Sequence, residues 1–108
     1  MKLYLKRKNN SVNATVEWNQ TTNTFMVLKG SVVSDTIAIH TTFRSAKTIE
    51  KLRANGTVLD SVLMKNLLFK SASTAANFVT GSSTNGLVAW KDVKGKSLKA
   101  ILAEKNNE

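Results

Sequence analysis

The sequence predicts one α+β domain, a small twisted, mostly antiparallel sheet carrying about three short helices. Three observations lead there. Apolar residues in the first third recur with period two, as in half-buried strands. Two later windows carry apolar residues at helical spacing, and each ends at a glycine. The chain is 108 residues long and 42% hydrophobic, enough for one modest core, and it shows no internal repeat and no linker that would divide it.

Lys2-Leu3-Tyr4-Leu5-Lys6 alternates like an edge strand with its lysines toward water. Arg7 to Asn10 is a basic, polar break. Val12, Ala14, Val16 and Trp18 alternate with Asn13, Thr15 and Glu17, which predicts a half-buried strand. After a polar turn over 19–23, Thr24 to Lys29 is apolar on both faces, so it reads as a more central strand paired back on its predecessor. Val32-Val33 and Ile37/Ile39 are two short strand pieces around Ser34-Asp35. The single histidine, His40, has no cysteine or acidic neighbour and reads as a surface or capping residue, not a ligand.

Thr42 is the expected N-cap of a helix over Phe43 to Ala54. Phe43, Ala46, Ile49 and Leu52 fall on one face, Arg44, Lys47 and Lys51 on another, and Glu50 is in reach of Lys47 or Arg53. Asn55-Gly56 stops it. Short apolar pieces flank Asp60-Ser61, and Leu67-Leu68-Phe69 reads as a buried strand. Ser71 or Ser73 caps a helix whose close-packing face is Ala72, Ala75, Ala76 and Val79; Gly81 ends it. Ser82 to Gly86 is a polar loop. Asn85-Gly86 tolerates positive φ, predicting a tight turn into a strand over Leu87 to Lys91. Asp92 to Lys96 turns again, and Ser97 caps a last helix with Leu98, Ile101 and Leu102 on its apolar face. Residues 105–108 are expected to fray.

Sixteen Lys and Arg against seven Asp and Glu leave a net charge of +9. A body this small with that charge attracts polyanions. The functional expectation is therefore a non-catalytic module that binds nucleic acid, DNA first, through a basic face. Lys91, Lys94, Lys96 and Lys99 cluster around the start of the last helix, where N–H groups and the helix dipole favour phosphate. Arg44, Lys47 and Lys51 form a second basic stripe. Ser82, Ser83 and Asn85 can hydrogen-bond phosphates or base edges. Trp18 and Trp90 read as core from their strand contexts, with base stacking as the alternative. The rival function is a protein-interaction module, a phage or mobile-element factor that docks on an acidic partner protein or on another protein's DNA-binding groove.

Catalysis is not expected. The seven acids are spread singly, and Asp92-Val93-Lys94 is only half of a nuclease D…E-x-K pattern. Gly95-Lys96-Ser97 ends like a P-loop, but Trp90 stands where its first glycine is required. No cofactor, metal or small-molecule substrate is implied. Cysteine is absent, no apolar run is long enough to cross a membrane, and the basic N-terminus lacks the apolar region of a signal peptide. A cytoplasmic protein is the expectation, so the sequons at Asn13, Asn19 and Asn55 read as accidents of composition.

Residues 12–98 carry a family resemblance. Phe69, Ser71, Ser73, Ala75, Ala76, Gly81, Asn85, Gly86, Trp90, Lys91, Gly95 and Leu98 fall in the order found in the domain of unknown function 4357. Asn13-Ala14 with Phe25 to Ser31 resembles that family's first hairpin, and Arg53 to Val58 the end of its central helix. The ending is similar to the restriction-enzyme adenine-methylase-associated domain. The resemblance implies an accessory module of DNA-processing proteins, typically following a GIY-YIG nuclease module, and implies no catalytic residue. Two positions depart from the pattern: Leu87 stands where the family has Trp, and Ala72 where it has Pro.

Overall fold

The computed structural model describes residues 1–38 and 46–106. The period-two segments become an antiparallel meander of β1 (Lys2–Lys6), β2 (Asn13–Asn19) and β3 (Thr24–Val27). Leu3 faces Val16 and Trp18 faces Phe25 across the ladder, so the apolar members share one side of the sheet. A 3-10 turn over Lys8–Asn10 joins β1 to β2, with Asn9 and Asn10 at φ of 58° and 57°. Asparagine tolerates that left-handed geometry better than most residues. The β2–β3 turn closes on Asn19, whose Oδ1 accepts the N–H of Thr21 and Thr22.

After β3 the chain reaches α1 (Ala46–Arg53), then a small hairpin of β4 (Val58–Leu59) and β5 (Val62–Leu63). Asp60 and Ser61, both at positive φ, form its turn. Next, β6 (Leu67–Phe69) pairs antiparallel with β3, giving the sheet order β1-β2-β3-β6. β3 is thus central, as its two-faced apolar pattern predicted. The strand at 67–69 is an edge and only partly buried: Phe69 is in the core, whereas Leu68 is 58% exposed. Val32 is an isolated bridge to Asn13 and Val62. The expected cap Thr42, the helix start at Phe43, and Ile39, His40 and Arg44 lie outside the described residues.

Helix α2 (Ala72–Thr80) forms where capping chemistry places it. Ser71 accepts the Thr74 N–H at 3.1 Å, and Gly81 ends the helix at φ 71°. Its small face, Ala72, Ala75, Ala76 and Val79, is buried with Phe78. The core gathers Leu3, Leu5, Val16 and Val27 of the sheet with Phe78 and Trp90. Burying each of these large apolar side chains contributes roughly 1.5–3 kcal/mol. Arg53 does not pair with Glu50. Its Nη1 donates to the Ser34 carbonyl at 2.8 Å and its Nη2 to the Phe78 carbonyl at 2.6 Å. The guanidinium also lies over the Phe78 ring, so it ties α1 to the end of α2.

The expected strand over Leu87 to Lys91 is instead a helical turn, α3 (Gly86–Ala89). Asn85 has φ −78° and is an N-cap whose side chain accepts the Leu87 N–H at 3.0 Å. Gly86 is buried against the backbone of Ala72 and Ser73, where a side chain has no room. The glycine therefore serves close approach of two helices, not a left-handed turn. Only Lys91 is sheet-like. Its N–H donates to the Tyr4 carbonyl at 2.9 Å, and the Tyr4 N–H donates back at 2.7 Å. The last helix, α4 (Leu98–Asn106), is capped as predicted, Ser97 Oγ accepting the Ala100 N–H at 3.2 Å. No described helix is long and apolar enough to cross a membrane.

Candidate functional site

The Tyr4–Lys91 pairing brings together parts far apart in sequence. It lays the segment after α3 along the outer edge of β1, so the end of β1, the loop after α2 and α3 enclose a cleft of about 390 Å³. Lys6, Arg7 and Lys91 supply its charge; Ser83, Thr84 and Asn85 supply its neutral polar groups. Leu5, Val88 and Ala89 complete the lining, which includes no carboxylate.

Local hydrogen bonds hold the polar wall. Thr84 N–H donates to Asn77 Oδ1 at 2.8 Å, and the Thr80 and Thr84 hydroxyls pair at 2.8 Å. The Thr80 hydroxyl also donates to the Ala76 carbonyl at 2.9 Å, anchoring the loop to α2. Gly86 N–H donates to Ser73 Oγ at 3.0 Å. Side chains such as Ser83 and Asn85 thus project from a fixed backbone, which lowers the entropy lost when a ligand binds.

A second cleft of about 510 Å³ adjoins the first and shares Lys6, Ala89 and Lys91 with it. Tyr4, Asp92, Val93 and Gly95 complete it. Asp92 Oδ1 accepts the N–H groups of Lys94 and Lys96 at 2.9 and 2.8 Å, closing the lysine-rich turn. Val93 at the tip is 83% exposed.

The residues expected to act together are divided by the fold. Lys91, Ser83 and Asn85 meet in the first cleft. Ser82 lies in the loop but lines neither cleft, and its carbonyl sits 3.1 and 3.0 Å from the Thr80 and Thr84 hydroxyl oxygens. Lys96 forms an ion pair with Glu104 at 2.7 Å. That hydrogen bond, with the nearby charges of Glu104 and Asp92, raises the Lys96 pKa above 10.5. Lys94 and Lys99 are exposed but line neither cleft, and the same holds for Lys47 and Lys51 on α1. Arg44 lies outside the described residues.

Both tryptophans are core. Trp90 is fully buried and its Nε1 donates to the Ala72 carbonyl at 2.9 Å. Trp18 is 4% exposed and stacks on Phe25, with Lys105 Nζ 5.5 Å from its ring centre. Neither offers a face to a base. Sequence reasoning missed Lys6, Arg7 and Tyr4 as site residues. Their signal was present in the alternation of 2–6 and the basic break after it, but nothing local tied that strand to Lys91.

A family model described as a domain of unknown function (DUF4357) matches residues 3–102. No curated protein matches the chain, and no solved structure matches it.

Proposed function

The chain belongs to the DUF4357 family, and on that premise we propose that it is a non-catalytic nucleic-acid-binding module that grips phosphates in the cleft beside β1. One observation carries the proposal: Lys6, Arg7 and Lys91 converge on a concave surface whose lining includes no carboxylate. Three cations with hydroxyl and amide donors beside them match a phosphate backbone, which takes most of its contacts from such groups. The overall charge of +9 would steer a polyanion to this surface. Exposed Lys94 and Lys99, and Lys47 and Lys51, would add to the field without contacting the same phosphates. DNA in the cytoplasm is the first substrate to try, because the resemblance implies accessory modules of GIY-YIG nuclease proteins.

The test is binding to a mixed-sequence oligonucleotide across salt. Three phosphate contacts predict about a 40-fold loss of duplex affinity between 50 and 200 mM salt. Lys6→Glu with Lys91→Glu should flatten the log–log slope by about two. Unchanged affinity and slope in that variant would reject the cleft as the site.

A second reading is docking on an acidic protein. Val88 and Val93, 50% and 83% exposed, favour it because they would place apolar contacts beside the cations. Binding to a protein partner with no affinity for nucleic acid at low salt would select it.

A further inference from the structure

Among the described residues every Trp and Phe is buried: Trp18, Phe25, Phe69, Phe78 and Trp90. Tyr4 is the aromatic side chain left partly open, and it lines the second cleft. Its position follows from the ladder. Tyr4 lies directly opposite Lys91, so the two side chains stand on the same face, with Cβ atoms about 5 Å apart. Lys2 and Lys6, two residues away on either side, share that face by the alternation of the strand. The ring is thus flanked by cations.

The two clefts differ in charge. The first has cations and no carboxylate, whereas Asp92 borders the second. A carboxylate there disfavours a phosphate and suits the amino and imino groups on a base edge. The second cleft also has Ala89 and Val93 on its walls, and its volume of about 510 Å³ is that of a small-molecule site.

We propose that the second cleft receives an unpaired base stacked on Tyr4, while Lys6, Arg7 and Lys91 hold the flanking phosphates. The ligand class is single-stranded nucleic acid. This rests on the phosphate-binding reading and narrows it. In a duplex each base is stacked on its neighbours and paired, so Tyr4 would meet only backbone; a single strand can turn a base into the cleft. Lys6 and Lys91 line both clefts, so the phosphate and base sites adjoin.

Fluorescence anisotropy with strands of about 12 nucleotides tests it. The ligands are oligo-dT, oligo-rU, an abasic strand of equal charge and a duplex; the dT and rU arms separate DNA from RNA. The wild-type chain should bind base-bearing strands about five- to 150-fold more tightly than the abasic strand. Tyr4→Leu should erase that margin and leave the salt slope unchanged, and Tyr4→Phe should keep the margin. Equal binding of abasic and base-bearing strands by the wild type overturns the inference without needing a variant. A margin that survives in Tyr4→Leu overturns it too. If the duplex and the abasic strand bind as well as oligo-dT, and Lys6→Glu with Lys91→Glu weakens all of them, the phosphate site stands and the base site falls. No binding to any strand overturns both.

Discussion

Replacing Gly86 by alanine should be among the most damaging single-methyl additions in this protein. The backbone φ of Gly86 is not in the left-handed region, so conformational strain is not the issue. A Cβ there would stand 2.5 Å from Ser73 N and nearer still to the Ala72 carbonyl carbon and oxygen. All three neighbours are backbone at the start of α2 and cannot rotate aside. Forcing the elements apart costs about 1–3 kcal/mol as overpacking. The Ala72 carbonyl also accepts from Trp90 Nε1 at 2.9 Å, and that donor is fully buried. Losing the bond leaves a buried polar group unpaired, at roughly 1–3 kcal/mol. Against this, alanine restricts the unfolded chain and returns about 0.4–1 kcal/mol. The net expectation is about 3–4 kcal/mol, a large share of a stability on the order of 5–15 kcal/mol. Urea unfolding followed by tryptophan fluorescence should show a lower midpoint at unchanged m value, and the melting temperature should drop by about 10–25 °C. Gly95→Ala is the contrast: its Cβ meets open space, and only its φ of 88° opposes it, at about 1–2 kcal/mol. A Gly86→Ala protein within about 1 kcal/mol of wild type would refute the account of α3 as a turn locked onto α2.

Other predictions follow from the same contacts. Asn85→Ala removes the α3 cap and should cost about 1 kcal/mol by denaturation, while Asn85→Ser or Asn85→Asp should keep most of it. Arg53→Lys should destabilise by about 2–3 kcal/mol, because an ammonium cannot span the Ser34 and Phe78 carbonyls that the guanidinium fork reaches together. The Lys96 pKa is raised by its bond to Glu104. A group raised on folding stabilises fully below its unfolded pKa, and that contribution disappears as pH climbs through the higher folded value. The Lys96 contribution should therefore persist to about pH 10.5 and fade above it. NMR titration should place Lys96 above the ordinary lysine value, and Glu104→Gln should remove most of that rise.

Much of the fold was legible because it depends on neighbours only a few residues away. Ser71, Gly81, Asn55-Gly56 and Ser97 act on adjacent N–H and C=O groups, so their roles can be read without knowing what packs above them. Alternation in 2–6 and 12–18 gave the strands for the same reason. Leu68 misled because a continuous apolar run looks the same on an edge as in the interior. Arg53 misled because helical spacing offered it Glu50, while the tertiary fold brought the Ser34 and Phe78 carbonyls within reach of its guanidinium.

The clearest division lies at Asn85-Gly86. As a dipeptide it signals a turn with positive φ, and no residue nearby contradicts that. The structure uses the glycine for its missing side chain, against a helix that begins 14 residues earlier, and the asparagine becomes a cap. The sequence by itself determined the family, the α+β class, the surplus of positive charge and most of the capping. Which cations share a surface was decided only when Lys91 paired with Tyr4 across the sheet edge, bringing Arg7 and Lys6 to Ser83 and Asn85 and leaving Lys96 to Glu104. Composition counts charges, but a binding site depends on distances between them, and here those distances come from contacts between residues more than 70 positions apart.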